Sequence, residues 1–195
     1  MKKFKHELSN GRDLLMIKTL SAAVLILASS SVFATDSDKP KRFSLGLASF
    51  ATAINYTSAY ITEDDAFAGP ALFGTFALSN GAAVRLTVAE QGHQDYSNLD
   101  LSAVEFSLLL GGGLQNKGAK IYASLGAFSE TLSNTSGYEV DFSGLMLGAG
   151  VGYNWDVMSV EFWVNFRDSS DYDDFVGPYI DATAASGGLG ISARF

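Results

Sequence analysis

No cysteine occurs among the 195 residues, there are only three prolines, and charged residues make up 17% of the chain. Without cysteine there is no disulfide framework, thiolate metal site, cysteine nucleophile or thiol-linked lipid anchor. Positive charge is also in short supply. Thirteen Lys and Arg stand against 21 Asp and Glu, and this balance argues against a nucleic-acid backbone as partner. Soluble domains carry roughly 25% charged residues. A deficit of charge combined with 20 glycines suggests a sheet protein whose outer surface need not meet water. The length is that of one domain.

Long apolar runs are missing too. Residues 19–34, TLSAAVLILASSSVFA, are too short and too serine-rich for a spanning helix. They close on Val32-Phe33-Ala34, the small-residue pattern of a secretory signal peptide. Met16-Ile17-Lys18 offers a compact positive start, so Met1–Leu15 reads as an N-terminal extension with Met16 as an alternative initiator. Residues 1–34 are expected to be removed, leaving a single domain over 35–195 that begins at Thr35. Removal takes away five bases (Lys2, Lys3, Lys5, Arg12, Lys18) and two acids (Glu7, Asp13), leaving 19 acids, 8 bases and His93 as the one histidine.

Beyond residue 34 the apolar residues alternate with small or polar ones. Val160, Phe162, Val164 and Phe166 share one phase, and Ser159, Glu161, Trp163, Asn165 and Arg167 the other. A period of two is strand geometry. Turn signals divide the chain into eight strands, near 42–56, 66–79, 82–91, 99–114, 119–131, 139–153, 157–167 and 183–195. Short connections such as Ser79-Asn80-Gly81 alternate with longer polar ones at Thr57–Asp65, Gly92–Asn98, Leu132–Tyr138 and Asp168–Ala182. Asn-Gly suits a hairpin turn with positive φ at both central residues. Such a meander predicts an all-β, eight-stranded antiparallel up-and-down transmembrane barrel, closed because lipid allows no unpaired sheet edge.

The apolar phase is assigned to lipid and the other to the lumen. That choice places Arg85, Glu105, Glu130, Glu161 and Arg167 inside, where charges can pair rather than face hydrocarbon. With three acids against two bases, one carboxyl is expected to be protonated and bonded by Tyr122 or Asn165, or else hydrated. Large neighbours such as Phe128, Met146 and Trp163 would fill the space left by glycine rows, giving a packed lumen. In the first strand Phe43, Leu45 and Leu47 disagree in phase with Phe50, Ile54 and Tyr56, which a bulge near Ala48-Ser49 would reconcile. Tyr56, Tyr60, Phe67, Tyr138 and Tyr179 are placed at one rim, Tyr153 and Trp155 at the other.

The long connections are the candidate surface loops, with Glu63, Asp64 and Asp65 in the first, His93 in the second and Asp171, Tyr172, Asp173 and Asp174 in the last. The final acidic run lacks the glycine and distant glutamate of an EF-hand. It reads as a solvated loop, or as one associating diffusely with divalent cations at a lipopolysaccharide surface. His93 has no serine or orienting carboxylate fixed beside it, so a catalytic triad has little support. No metal or cofactor is expected.

Lys120–Phe128 (KIYASLGAF), Phe142–Tyr153 (FSGLMLGAGVGY), Ser159-Val160-Glu161-Phe162 and the terminal Gly190–Phe195 (GISARF) resemble the hairpins and last strands of the small Ail/Lom/OmpX-like outer-membrane proteins. The resemblance covers about residues 99–195 and implies a closed lumen, exposed loops, and Phe195 as the carboxy-terminal assembly signal. It implies a non-enzymatic structural, adhesion or surface-defence role in the Gram-negative outer membrane. The expected partners are outer-membrane lipid and lipopolysaccharide, the barrel-assembly machinery and a host or neighbouring-cell surface, with the protein as a monomer. The alternatives are a lipid A-modifying hydrolase or acyltransferase, a small ion channel, and a soluble periplasmic barrel.

Overall fold

The computed structural model describes residues 40–58 and 62–195. The segment expected to be removed, its cleavage point before Thr35, and Tyr60 lie outside them. Eight strands follow in chain order: β1 (Phe43–Thr57), β2 (Thr62–Ala77), β3 (Ala82–His93), β4 (Leu99–Gly112), β5 (Gly118–Asn134), β6 (Glu139–Asn154), β7 (Met158–Arg167) and β8 (Asp181–Arg194). One short helix, α1 (Ser170–Val176), precedes β8. Each strand pairs antiparallel with its chain neighbours, and β8 closes onto β1 to complete an eight-stranded up-and-down barrel. The strands run from 10 residues in β7 to 17 in β5. A tilted strand needs about ten to cross hydrocarbon, so most have length to spare.

Burial is inverted relative to a water-soluble sheet protein. Leu145 and Leu147 on β6 and Phe166 on β7 are 62–69% exposed, whereas Glu105, Glu130 and Glu161 are at most 2% exposed. An apolar wall of this kind suits hydrocarbon as its solvent. Inside, glycines make room for rings. A Cβ on Gly188 would lie 2.6 Å from Trp163, and one on Gly190 2.6 Å from Phe73.

The short-turn mouth is covered by the β4–β5 turn, which folds inward. The Gln115 side-chain amide donates to the Ala77 carbonyl at 3.1 Å, and Asn154 Nδ2 donates to the carbonyls of Gly113 (2.7 Å) and Asn116 (3.0 Å). Asn80 Oδ1 accepts from the backbone amides of Gln115 and Asn116.

Several expectations are corrected here. β1 contains no bulge, since its register against both neighbours runs unbroken through Ala48 and Ser49. Phe50 and Ile54 simply face the lumen, leaving the small residues Ser49, Ala51 and Ala53 outside. The Asn80-Gly81 turn has positive φ at neither residue; the Asn80 side chain is recruited to the neighbouring turn instead. Phe67 is 2% exposed and points into the lumen rather than sitting on a rim, and Tyr56 is half-buried. Tyr153 and Trp155 do pack together at the short-turn rim, 4.7 Å between ring centroids.

Candidate functional site

Alternation along β3, β4, β5 and β7 delivers the lumenal charges, and the barrel's register sorts them into two clusters. Toward the short turns, Arg85 is the centre. Its guanidinium pairs with Glu161 and donates to Tyr122 Oη at 2.9 Å and Thr75 Oγ1 at 3.1 Å. It also lies 5.0–5.3 Å from the ring centroids of Phe73, Tyr122 and Trp163, so three aromatic rings and one carboxylate surround it. Lys120 Nζ reaches the other oxygen of Glu161 at 3.0 Å.

Toward the long loops, Arg167 forks between two carboxylates, Glu130 and Glu105, the latter at 2.8 Å. Glu105 also accepts from Asn165 Nδ2 at 3.0 Å and from Ser186 Oγ at 2.5 Å. Ser124 Oγ donates to Asn165 Oδ1 at 3.0 Å, which fixes which way that amide turns. The Arg167 guanidinium stands 4.6 Å from the Phe128 ring centroid.

The last long connection is no solvated loop. Its acidic run forms α1, and Tyr172 from that helix is fully buried in the long-loop mouth. Tyr172 stacks on Phe142 at 4.6 Å and its hydroxyl donates to Glu130. Burial, and then the Glu130 carboxylate, push its pKa well above the ordinary tyrosine value. Asp171 accepts from the Ser143 backbone amide at 2.8 Å and Asp173 from the Ala182 amide at 2.6 Å, clamping the helix to β6 and β8. Asp168 accepts from the Ser170 hydroxyl and amide, which hold its carboxyl below the usual range. Asp171 and Asp173 also sit in the helix's first turn, where negative charge is favoured. Asp174 belongs to the same helix.

The other long connections are shorter than their sequences suggested. Glu63, Asp64 and Asp65 belong to β2, and His93 ends β3. The β1–β2 hairpin therefore outruns β3, whose pairing with β2 stops at Phe67 and His93. The imidazole of His93 is buried. Its Nδ1 accepts from the backbone amides of Asp95 (3.0 Å) and Tyr96 (3.1 Å), leaving the proton on Nε2, which faces Asp65 Oδ1 at 3.0 Å. Phe67 meets the ring edge-on at 4.8 Å. Both nitrogens are occupied, so neither is available to take a proton from a nucleophile. Among the described residues no cluster of three or more acids and histidines is arranged to hold a metal ion.

Lys120, Tyr172, Ser186 and Arg194 were missed from the lumenal set. For Lys120 the signal was present, because it shares the phase of Tyr122 and Ser124; it supplies a second base to Glu161, while Glu105 and Glu130 share Arg167. The space among Arg85, Glu105, Tyr122, Trp163 and Asn165 has no volume for a water molecule.

A closed eight-stranded barrel with an apolar exterior and a paired, ring-filled interior is the fold that this chain shares with solved small outer-membrane barrels. Among solved structures, OprG from Pseudomonas aeruginosa is similar at a TM-score of 0.50 and 15% identity, over 83% of this chain and 99% of that one. Ail from Yersinia pestis, solved with the heparin analogue sucrose octasulfate, gives 0.49 and 19% identity over 80% of this chain and 99% of its own. Neisserial surface protein A gives 0.47 and 13% over 78% and 97%. At such identities the likeness speaks for the fold alone. No protein-family model matches the chain, and no curated protein sequence does.

Proposed function

We propose that this chain is a non-enzymatic barrel of the Gram-negative outer membrane, acting at the cell surface in adhesion or surface defence. One observation carries the reading: the two ends of the barrel differ in sign. Among the described residues, every Asp and Glu except Glu105, Glu130, Glu161 and Asp156 lies toward the long-loop end. No Lys or Arg is exposed there, and the nearest base, Arg167, is sealed inside. An acidic outer face favours cationic partners and repels polyanions. Lipopolysaccharide phosphates would be reached through bridging divalent cations rather than through side chains. In this reading the export segment is cleaved before Thr35, and the assembly machinery recognises the last strand and Phe195.

The test uses the protein in phospholipid nanodiscs. Immobilised polylysine should bind in a salt-sensitive manner, and soluble heparin should not. The triple variant Glu63→Gln/Asp64→Asn/Asp174→Asn should weaken the polylysine signal severalfold. Heparin binding, or polylysine binding indifferent to the variant, would overturn the proposal. His93→Ala is expected to leave the mass spectrum of lipid A unchanged, and planar bilayers should show no reproducible conductance.

A further inference from the structure

At the short-turn end of the lumen lies a cavity of about 20 Å³, lined by Arg85, Lys120, Ser159 and Arg194, with Lys41 and Arg42 beside them. Every titratable residue lining it is a base. Three of these cations, Arg85, Lys120 and Arg194, are buried, and among the described side chains the buried carboxylate that reaches them is Glu161, which Arg85 and Lys120 share. Arg194 spends its Nη atoms on the carbonyls of Trp155, Gln115 and Asn116, which are neutral acceptors. Asp156, on the nearby turn, is exposed and pairs with Lys117 at 3.1 Å. Among the described side chains, Glu161 is thus shared by two buried cations, and Arg194 beside them rests on neutral carbonyls. The carboxylate-rich cluster around Arg167 lies beyond the layer of Tyr122 and Trp163.

A second, independent feature points to the same place. The Ser159 hydroxyl is 1% exposed, lines the cavity and has no hydrogen-bond partner. Buried hydroxyls are ordinarily satisfied, and buried cations are ordinarily paired. The ammonium of Lys120 carries three N–H donors, of which Glu161 accounts for one.

We propose that this cavity binds a single halide-sized anion, held by the Lys120 ammonium and the Ser159 hydroxyl in the field of Arg85 and Arg194. Its volume is that of roughly one to two water positions, which admits a monatomic ion and rejects a phosphate group or a lipid headgroup. The anion adds negative charge beside this basic lining and ties β5 to β7 beneath the inward-folded turn.

The experiment uses the folded barrel in detergent at constant ionic strength, with chloride or bromide exchanged for gluconate. Thermal unfolding should rise with halide in a saturable way. Ser159→Ala should weaken the apparent halide affinity about tenfold, and Lys120→Met should abolish the response, whereas Lys117→Met should retain it. Should Lys120→Met fail to fold, Ser159→Ala decides the matter. Crystals soaked in bromide should show an anomalous peak between residues 120 and 159. Equal melting in halide and gluconate, an unaltered response in Ser159→Ala, or phosphate competing on equal terms with bromide would each overturn the assignment.

Discussion

The two charge clusters of the lumen are built from the same residue types and solve different problems. Around Arg85, cations outnumber carboxylates and aromatic faces make up part of the surroundings. Around Arg167, two glutamates share one guanidinium, and neutral donors from Asn165, Ser186 and Tyr172 complete their coordination. The first cluster is covered by a turn held mainly by carbonyl and amide groups, the second by a helix that inserts a tyrosine. The two halves of a barrel interior can thus carry opposite local imbalances of charge, and each imbalance decides what its mouth requires.

The largest expected effect comes from breaking the long-loop cluster. Arg167→Ala leaves Glu105 and Glu130 buried without their cation and should cost about 3–5 kcal/mol in urea unfolding from lipid vesicles. Gly188→Ala places a methyl group against Trp163, between the two clusters, and should cost about 2 kcal/mol by overpacking. A neutral result would mean that the aromatic layer is looser than its contacts suggest.

Tyr172→Phe removes one donor to Glu130 and should cost about 1.5 kcal/mol, measured the same way. It also has a pH signature. Because the folded-state pKa of Tyr172 is raised above its ordinary value of 10.0, its stabilisation is complete below pH 10 and is lost as pH climbs above it. The Phe variant should therefore show a flatter alkaline limb in a stability-against-pH profile. Smallest of all, Lys117→Ala severs an exposed pair with Asp156 and should change stability by less than about 1 kcal/mol.

Much of the wall was legible from alternation. The phase of Val160–Arg167 separates Phe162 and Phe166 from Glu161, Trp163 and Asn165, as the strand does in three dimensions. Alternation is ambiguous in β1 because large residues such as Phe50 and Ile54 can face lipid or fill a narrow lumen beside glycine, and here they fill the lumen. It fails at Glu63–Asp65 and His93 because a polar run signals a loop, although a hairpin standing clear of the membrane tolerates one. The acidic run 171–174 carried no periodicity long enough to announce α1, a helix of seven residues held by contacts to β6 and β8 rather than by its own propensity.

What the chain determines on its own is the period-two wall, the count of eight strands and the side of that wall on which Arg85, Glu105 and Glu161 must lie, because strand geometry is local and charge in hydrocarbon is forbidden wherever it falls. Which charges meet is a different matter. Arg85 and Glu161 are 76 residues apart, and Arg167 and Glu105 are 62. Only the register of the closed barrel brings them face to face, gathers three cations around one cavity and drops Tyr172 onto Glu130, because pairing across a lumen depends on strand positions that no single strand encodes.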